Sequence, residues 1–228
     1  MSSSGYFSFL LPLFLFVLFL AYLRFKFTIQ VWKYILLAFF WGIVAVFVVL
    51  AAQEIIKLWG LDHLRNLRRT VFYVFVVVAF SAELGKFLLL RYFFFHQKSF
   101  DSPLAGIIYG IAISLGFSLL AVIFYSTGIL ETERMKYLSL FLWTYPLANI
   151  VFGITQGFFI GMGKVRKFLF IDEGTALGTA TVFHALFYFC FLTSDYRLLI
   201  MTSLGLAFIA LVLIIKAASI PPAIKKPQ

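Results

Sequence analysis

Apolar runs of roughly 20 residues recur along the whole chain, and short links between them carry nearly all of its charge. Each run is long enough to cross a hydrocarbon layer of about 30 Å. The runs are continuous rather than alternating, and they exceed the length of a barrel strand. In lipid, every backbone polar group needs an internal partner, which leaves helices as the reading. The pattern predicts seven helices over about 6–22, 32–52, 70–92, 103–125, 137–162, 174–193 and 196–215. Pro103 suits the first turn of the fourth. The expected fold is all-α: a polytopic transmembrane helix bundle forming one domain over 1–228. The stub Met1–Gly5 has no positive charge and no cleavage site, so the first run reads as a retained helix. The link 53–69 mixes Ile55, Ile56, Leu58, Trp59, Leu64 and Leu67 with Lys57, Arg65, Arg68 and Arg69, which predicts an amphipathic interfacial segment. The tail 216–228, with Pro221, Pro222, Lys225 and Lys226, is expected to be frayed and basic.

Composition strengthens this picture. Hydrophobic residues make up 63% of the chain and charged ones 12%, with a mean hydropathy of +1.04. Soluble domains sit near 45–50% apolar and about 25% charged. The implied solvent is the bilayer. The net charge of +10 lies in the links, so it reads as topology signal and lipid-head contact rather than nucleic-acid binding. With seven crossings and the N-terminus outside, eleven basic residues fall on inner links and seven on outer ones, which favours a cytoplasmic C-terminus. Cys190 is the single cysteine, so no intrachain disulfide forms.

Polar residues at membrane depth carry the functional signal, because a charge there costs roughly 2.5–3.5 kcal/mol. Glu83 and Lys86 stand three apart on one helix face. They fit a self-neutralising ion pair, or a carboxylate for acid–base or metal chemistry. His184 lies near the centre of the sixth run, as an interhelical hydrogen-bond partner or as a ligand. Asn149 and Gln156 share one face of the fifth and read as polar glue, and Tyr125 closes the fourth. Gly106 with Gly110, and Gly153 with Gly157, form two G-x-x-x-G pairs that let helix backbones approach closely, within the bundle or against a partner protein. No Walker loop, C-x-x-C or H-E-x-x-H occurs, so nucleotide, structural zinc and zincin readings have no support.

Several of these residues recur in an ordered framework. It runs through Ala82-Glu83-Leu84-Gly85-Lys86, Asp101-Ser102-Pro103-Leu104-Ala105-Gly106 with Tyr109-Gly110, Gly116-Phe117 with Tyr125, Asn149 with Gly157, and His184. This stretch, about 80–190, resembles PrsW-type intramembrane proteases, a group related to CAAX-processing proteases. The resemblance implies a membrane peptidase in which carboxylates and histidines activate a water, with or without a metal. The framework matches in spacing, but four chemical positions depart from the pattern. Ala82 stands for the first glutamate of a pair, and Ala121-Val122 for a Glu-Asn pair. Asn149 stands for a histidine, and Tyr188 for the Asn or Asp four residues after the last histidine. Glu83, Lys86 and His184 remain. The resemblance therefore implies a degenerate member without cofactor, acting as scaffold, chaperone or regulator of other membrane proteins. The alternative is a divergent protease using Glu83 and His184, with a divalent metal if catalytic.

Overall fold

The computed structural model describes residues 7–26, 32–60, 66–131, 135, 137–193 and 195–223. Among them are seven helices and no strand: α1 (Leu10–Lys26), α2 (Trp32–Leu58), α3 (Leu67–Phe94), α4 (Pro103–Thr127), α5 (Leu138–Arg166), α6 (Leu169–Thr193) and α7 (Tyr196–Ser219). Helices α2 to α7 are each long and apolar enough to cross a membrane. Helix α1 has 17 residues, which at 1.5 Å per residue reach about 25 Å. The chain is an all-α polytopic bundle.

Local chemistry sets the ends. The Asn66 side chain caps α3 by accepting from Arg69 N–H at 2.9 Å, and Ser102 caps α4 by accepting from Ala105 N–H at 3.2 Å, with Pro103 beside it. Gly128 ends α4 at φ 77°, a left-handed conformation that glycine adopts without steric cost. Helix α3 is wound as a π-helix over Tyr73–Phe80 and Leu90–Phe94. Such wide turns are rare and often mark functional segments.

Three boundary differences from the sequence reading have a clear physical basis. Helix α6 begins at Leu169 rather than Gly174, because Asp172 and Glu173 belong to its opening turns, where acidic side chains favour the helix dipole. Helix α2 runs through Leu58, so residues 53–58 of the 53–69 link continue the helix. Gln53 is buried, and Glu54 pairs with Lys57 at 2.8 Å along the same helix. Residues 61–65 of that link lie outside the described residues. Helix α7 continues to Ser219, and Ala223 N–H donates to the Asp101 carbonyl at 2.8 Å, so the tail is ordered this far. Lys225 and Lys226, like Met1–Tyr6, lie outside the described residues.

Helix α4 is the hub. Its Gly106 and Gly110 meet Gly157 and Gly153 of α5, backbone against backbone, and its Gly116 faces the Phe39 carbonyl of α2. A Cβ at any of these would strike a carbonyl of the neighbouring helix. Without a hydrophobic drive between helices in lipid, this close approach supplies the van der Waals contact that holds them. Helix α7 lies on the outside against α5 and α6, with most of its surface open to lipid. At one end of the bundle, Arg91 of α3 pairs with Glu173 of α6.

Candidate functional site

The polar residues of α3, α5 and α6 meet inside the bundle. Glu83 and His184 are wholly buried, as are Lys86 and Asn149. Helical spacing puts Glu83 and Lys86 on one side of α3, and Lys86 Nζ donates to Glu83 Oε1 at 2.7 Å. The same ammonium donates to Asn149 Oδ1 of α5 at 2.8 Å. It also lies 5.0 Å from the Phe117 ring centroid and 5.5 Å from that of Phe152, so two aromatic rings face a desolvated cation. Gln156 Nε2, two turns along α5 from Asn149, donates to Glu83 Oε2 at 3.0 Å and to the Glu83 carbonyl at 2.9 Å. His184 of α6 places Nδ1 2.8 Å from Glu83 Oε1.

These contacts assign the imidazole. A carboxylate that accepts from Lys86 and Gln156 has only acceptors to offer, so His184 Nδ1 carries the proton and donates. Nε2 is then an acceptor, and the Tyr145 hydroxyl lies 3.4 Å from it, placed to donate. The Phe152 ring stacks on the imidazole at 4.9 Å with an interplanar angle of 17°. Asn149 Nδ2 turns back to the Tyr145 carbonyl at 3.1 Å. The cluster is thus one carboxylate and one ammonium, neutral in sum, with their hydrogen-bonding capacity taken up by amides, imidazole and rings. A buried pair holds only when its remaining donors and acceptors are met in this way.

The structure brings Glu83, Lys86, Asn149, Gln156 and His184 together. Tyr125 lies one layer away, its ring 5.4 Å from that of Tyr145 and edge-on to it. The four glycines stand apart from the cluster and form the α4–α5 contact. Sequence reasoning missed Tyr145 and Phe152. Both share the Asn149 face of α5, four residues before and three after it, which was the available signal.

The donor set does not suit a divalent metal. Among the described residues no three histidine, cysteine or carboxylate side chains converge. Glu83 is engaged at both oxygens, and the Lys86 ammonium fills the place beside Glu83 and Asn149 where a cation would sit. Catalytic zinc takes three protein ligands and a water, and only Glu83 and His184 are of the usual ligand types here.

A model of the PrsW family of intramembrane metalloproteases matches residues 30–217. Among curated proteins, the chain is similar to the protease PrsW of Geobacillus kaustophilus (strain HTA426), at 25% identity over 146 residues. That alignment covers 63% of this chain and 60% of the relative, so the chain matches somewhat over half of the relative's length. No solved structure matches the chain.

Proposed function

The chain belongs to the PrsW family of intramembrane metalloproteases, and from that premise we propose that it keeps the family's bundle but binds other membrane proteins as a scaffold, chaperone or regulator without hydrolysing them. One observation carries the reading: the Glu83 carboxylate, the group a hydrolase would use on water, is buried and spent on Lys86, His184 and Gln156. A general base must lie within about 2.6–3.2 Å of the proton it abstracts, or one water further. Here those positions hold protein donors. The departures at Ala82, Ala121-Val122, Asn149 and Tyr188 support the same conclusion, since each replaces a polar group with one unable to do its work. The orientation that goes with it is N-terminus outside and C-terminus cytoplasmic.

A second reading has one contact in its favour. Glu83 and His184 form a carboxylate–imidazole couple at 2.8 Å, the unit an acid–base hydrolase needs. The test is incubation of the purified full-length chain, in liposomes, with a panel of transmembrane peptides, read by mass spectrometry. The expected result is no product above that of Glu83→Gln. Cleavage that disappears in both Glu83→Gln and His184→Ala overturns the non-hydrolytic reading.

A further inference from the structure

Helix α7 touches the bundle towards both ends and stands off it in between. At its start, the Tyr196 ring lies 4.7 Å from that of Tyr137, the residue before α5. Over its second half, Ala210, Leu213 and Ala217 are buried with Ile107 of α4 and Ile154 and Phe158 of α5. Between these contacts lies a cavity of about 210 Å³. Thr144, Ala148 and Val151 of α5, Phe187 of α6, and Ser203 and Ala207 of α7 line it. Ser203 and Ala207 are exposed, so the cavity is a window onto the lipid-facing surface. They follow Tyr196 by about 10–17 Å along the helix axis. That is the depth of the acyl chains in one leaflet of a hydrocarbon layer about 30 Å thick. Phe187 forms the back wall. It is buried, and its ring lies 6.5 Å from that of Tyr145 and 6.2 Å from that of Phe152, the two rings beside His184.

We propose that this window between α5 and α7 binds one acyl chain of a bilayer phospholipid. Its chemistry does not suit water. The walls are apolar but for two hydroxyls, and Thr144 gives its own to the Leu140 carbonyl at 2.8 Å. Cavities of this kind stay dry and take up apolar guests, as one of about 150 Å³ takes up benzene. Its size does not suit a helix, since one turn is about 10–12 Å wide and 5.4 Å tall, on the order of 500 Å³. A single run of methylenes fits. The window is continuous with the surface that already meets lipid, so its guest comes from the bilayer. Charge agrees with a phospholipid. Arg197, beside Tyr196 at the rim, is exposed and makes no ion pair among the described residues, which leaves a cation at headgroup level for the phosphate. The chain gives the lining the van der Waals partners that a void withholds. It joins α7 to α5 where their side chains do not meet, and it backs Phe187 against the rings that flank the polar cluster. The site stands whether or not the protein hydrolyses peptides.

The experiment maps where lipid chains dwell. The full-length protein is placed in phosphatidylcholine vesicles doped with a phosphatidylcholine that carries a diazirine midway along one chain. After illumination and digestion, mass spectrometry locates the adducts. Labelling of residues 144–151 and 203–207 is expected to exceed that of the exposed α2 face at Phe40, Val44 and Phe47 by about fivefold, equivalent to about 1 kcal/mol of preference for the window over the general lipid surface. Ala207→Leu fills the window from an exposed position, so the fold is kept. It is expected to bring labelling there down to the α2 level and to leave α2 unchanged. Ala218→Leu, exposed lower on the same helix, is expected to change neither. Window labelling equal to that of α2 overturns the site, because lipid then only passes over it. Labelling below that of α2 overturns it too, because a second copy of the chain or another polypeptide then covers the window. Labelling that persists undiminished in Ala207→Leu shows that the chain lies outside the cavity, and overturns it as well.

Discussion

His184 Nδ1 stands 2.8 Å from Glu83 Oε1, although the two residues are 101 positions apart in sequence. Their contact ties α6 to α3, and Gln156 and Asn149 tie α5 to the same two charges. In hydrocarbon the helices have no hydrophobic reason to prefer one another, so a shared polar cluster of this kind chooses neighbours and register. The orientation of the imidazole follows too, since its other nitrogen is left free to accept from Tyr145.

Removing the charge on Glu83 exposes how far the cluster depends on balance. Glu83→Gln leaves the Lys86 ammonium buried without a counter-charge, and is expected to cost about 3–5 kcal/mol of stability. Lys86→Met alone leaves the carboxylate in the same position. The double variant removes both charges and is expected to cost less than the sum of the singles by about 2–3 kcal/mol, the coupling typical of residues in one network. It still leaves Asn149, Gln156 and His184 short of partners, so it does not return to the parent value. Steric-trapping measurements in bicelles give the cycle. Additive single and double effects would mean that Glu83 and Lys86 do not stabilise each other.

The i, i+3 spacing made the Glu83–Lys86 pair legible in the sequence, and the seven-run pattern made the bundle legible, because both are local properties. Which helix meets Lys86 is not local. Asn149 was visible as a polar residue at depth, yet nothing in its own segment points to an ammonium 63 residues away, and Tyr145 and Phe152 look like ordinary apolar-face residues until the helices are assembled. The family resemblance supplied the expectation that Glu83 and His184 belong together. Boundaries differ where polar residues read as link: Asp172 and Glu173 open α6, and Gln53 lies buried within α2.

The glycines at the α4–α5 contact should be intolerant of a single methyl group. A Cβ on Gly106 strikes the Gly157 carbonyl, and one on Gly110 strikes that of Gly153, so the helices must move apart. Gly106→Ala and Gly110→Ala are each expected to destabilise by about 1–3 kcal/mol, as overpacked positions do. Gly178→Ala on the open face of α6, where no heavy atom lies within 4 Å, is expected to be neutral or stabilising by about 0.5–1 kcal/mol from backbone entropy. Thermal unfolding in one detergent compares all three. Equal effects at Gly110 and Gly178 would remove close approach as the reason for the glycines.

The proposed orientation rests on the basic residues and is checked from both ends. In a Cys190→Ser background, cysteines at Ser3 and Gln228 should react with an impermeant maleimide from opposite sides, Ser3 from outside. With seven crossings and the N-terminus outside, eleven basic residues fall on inner links against seven on outer ones, and such bias favours that topology. Labelling of both from one side would require an even number of crossings. That outcome would leave α1, with its 17 residues, as the helix that does not span.

Lys86 serves as the cluster's resident cation, and this yields an outcome that separates the chain from a metal-loaded relative. Its ammonium is held by Glu83 Oε1 and Asn149 Oδ1 and faced by two rings, which leaves a divalent ion neither charge to neutralise nor free ligands to bind. The melting temperature of the purified protein is therefore expected to stay the same on adding EDTA or excess zinc. Lys86→Met reverses the balance: Glu83 becomes an unpaired buried charge beside His184, Asn149 and Gln156, all within hydrogen-bond distance of where the cation stood or of its carboxylate partner. Zinc or cadmium should then stabilise the variant selectively. At a hundredfold excess over its dissociation constant a ligand adds about 2.7 kcal/mol, which for a chain of this size raises the melting temperature by about 5–11 °C. Zinc that stabilises the parent as strongly as Lys86→Met, or one equivalent of metal retained by the parent through purification, would show that the ammonium does not occupy the metal's place.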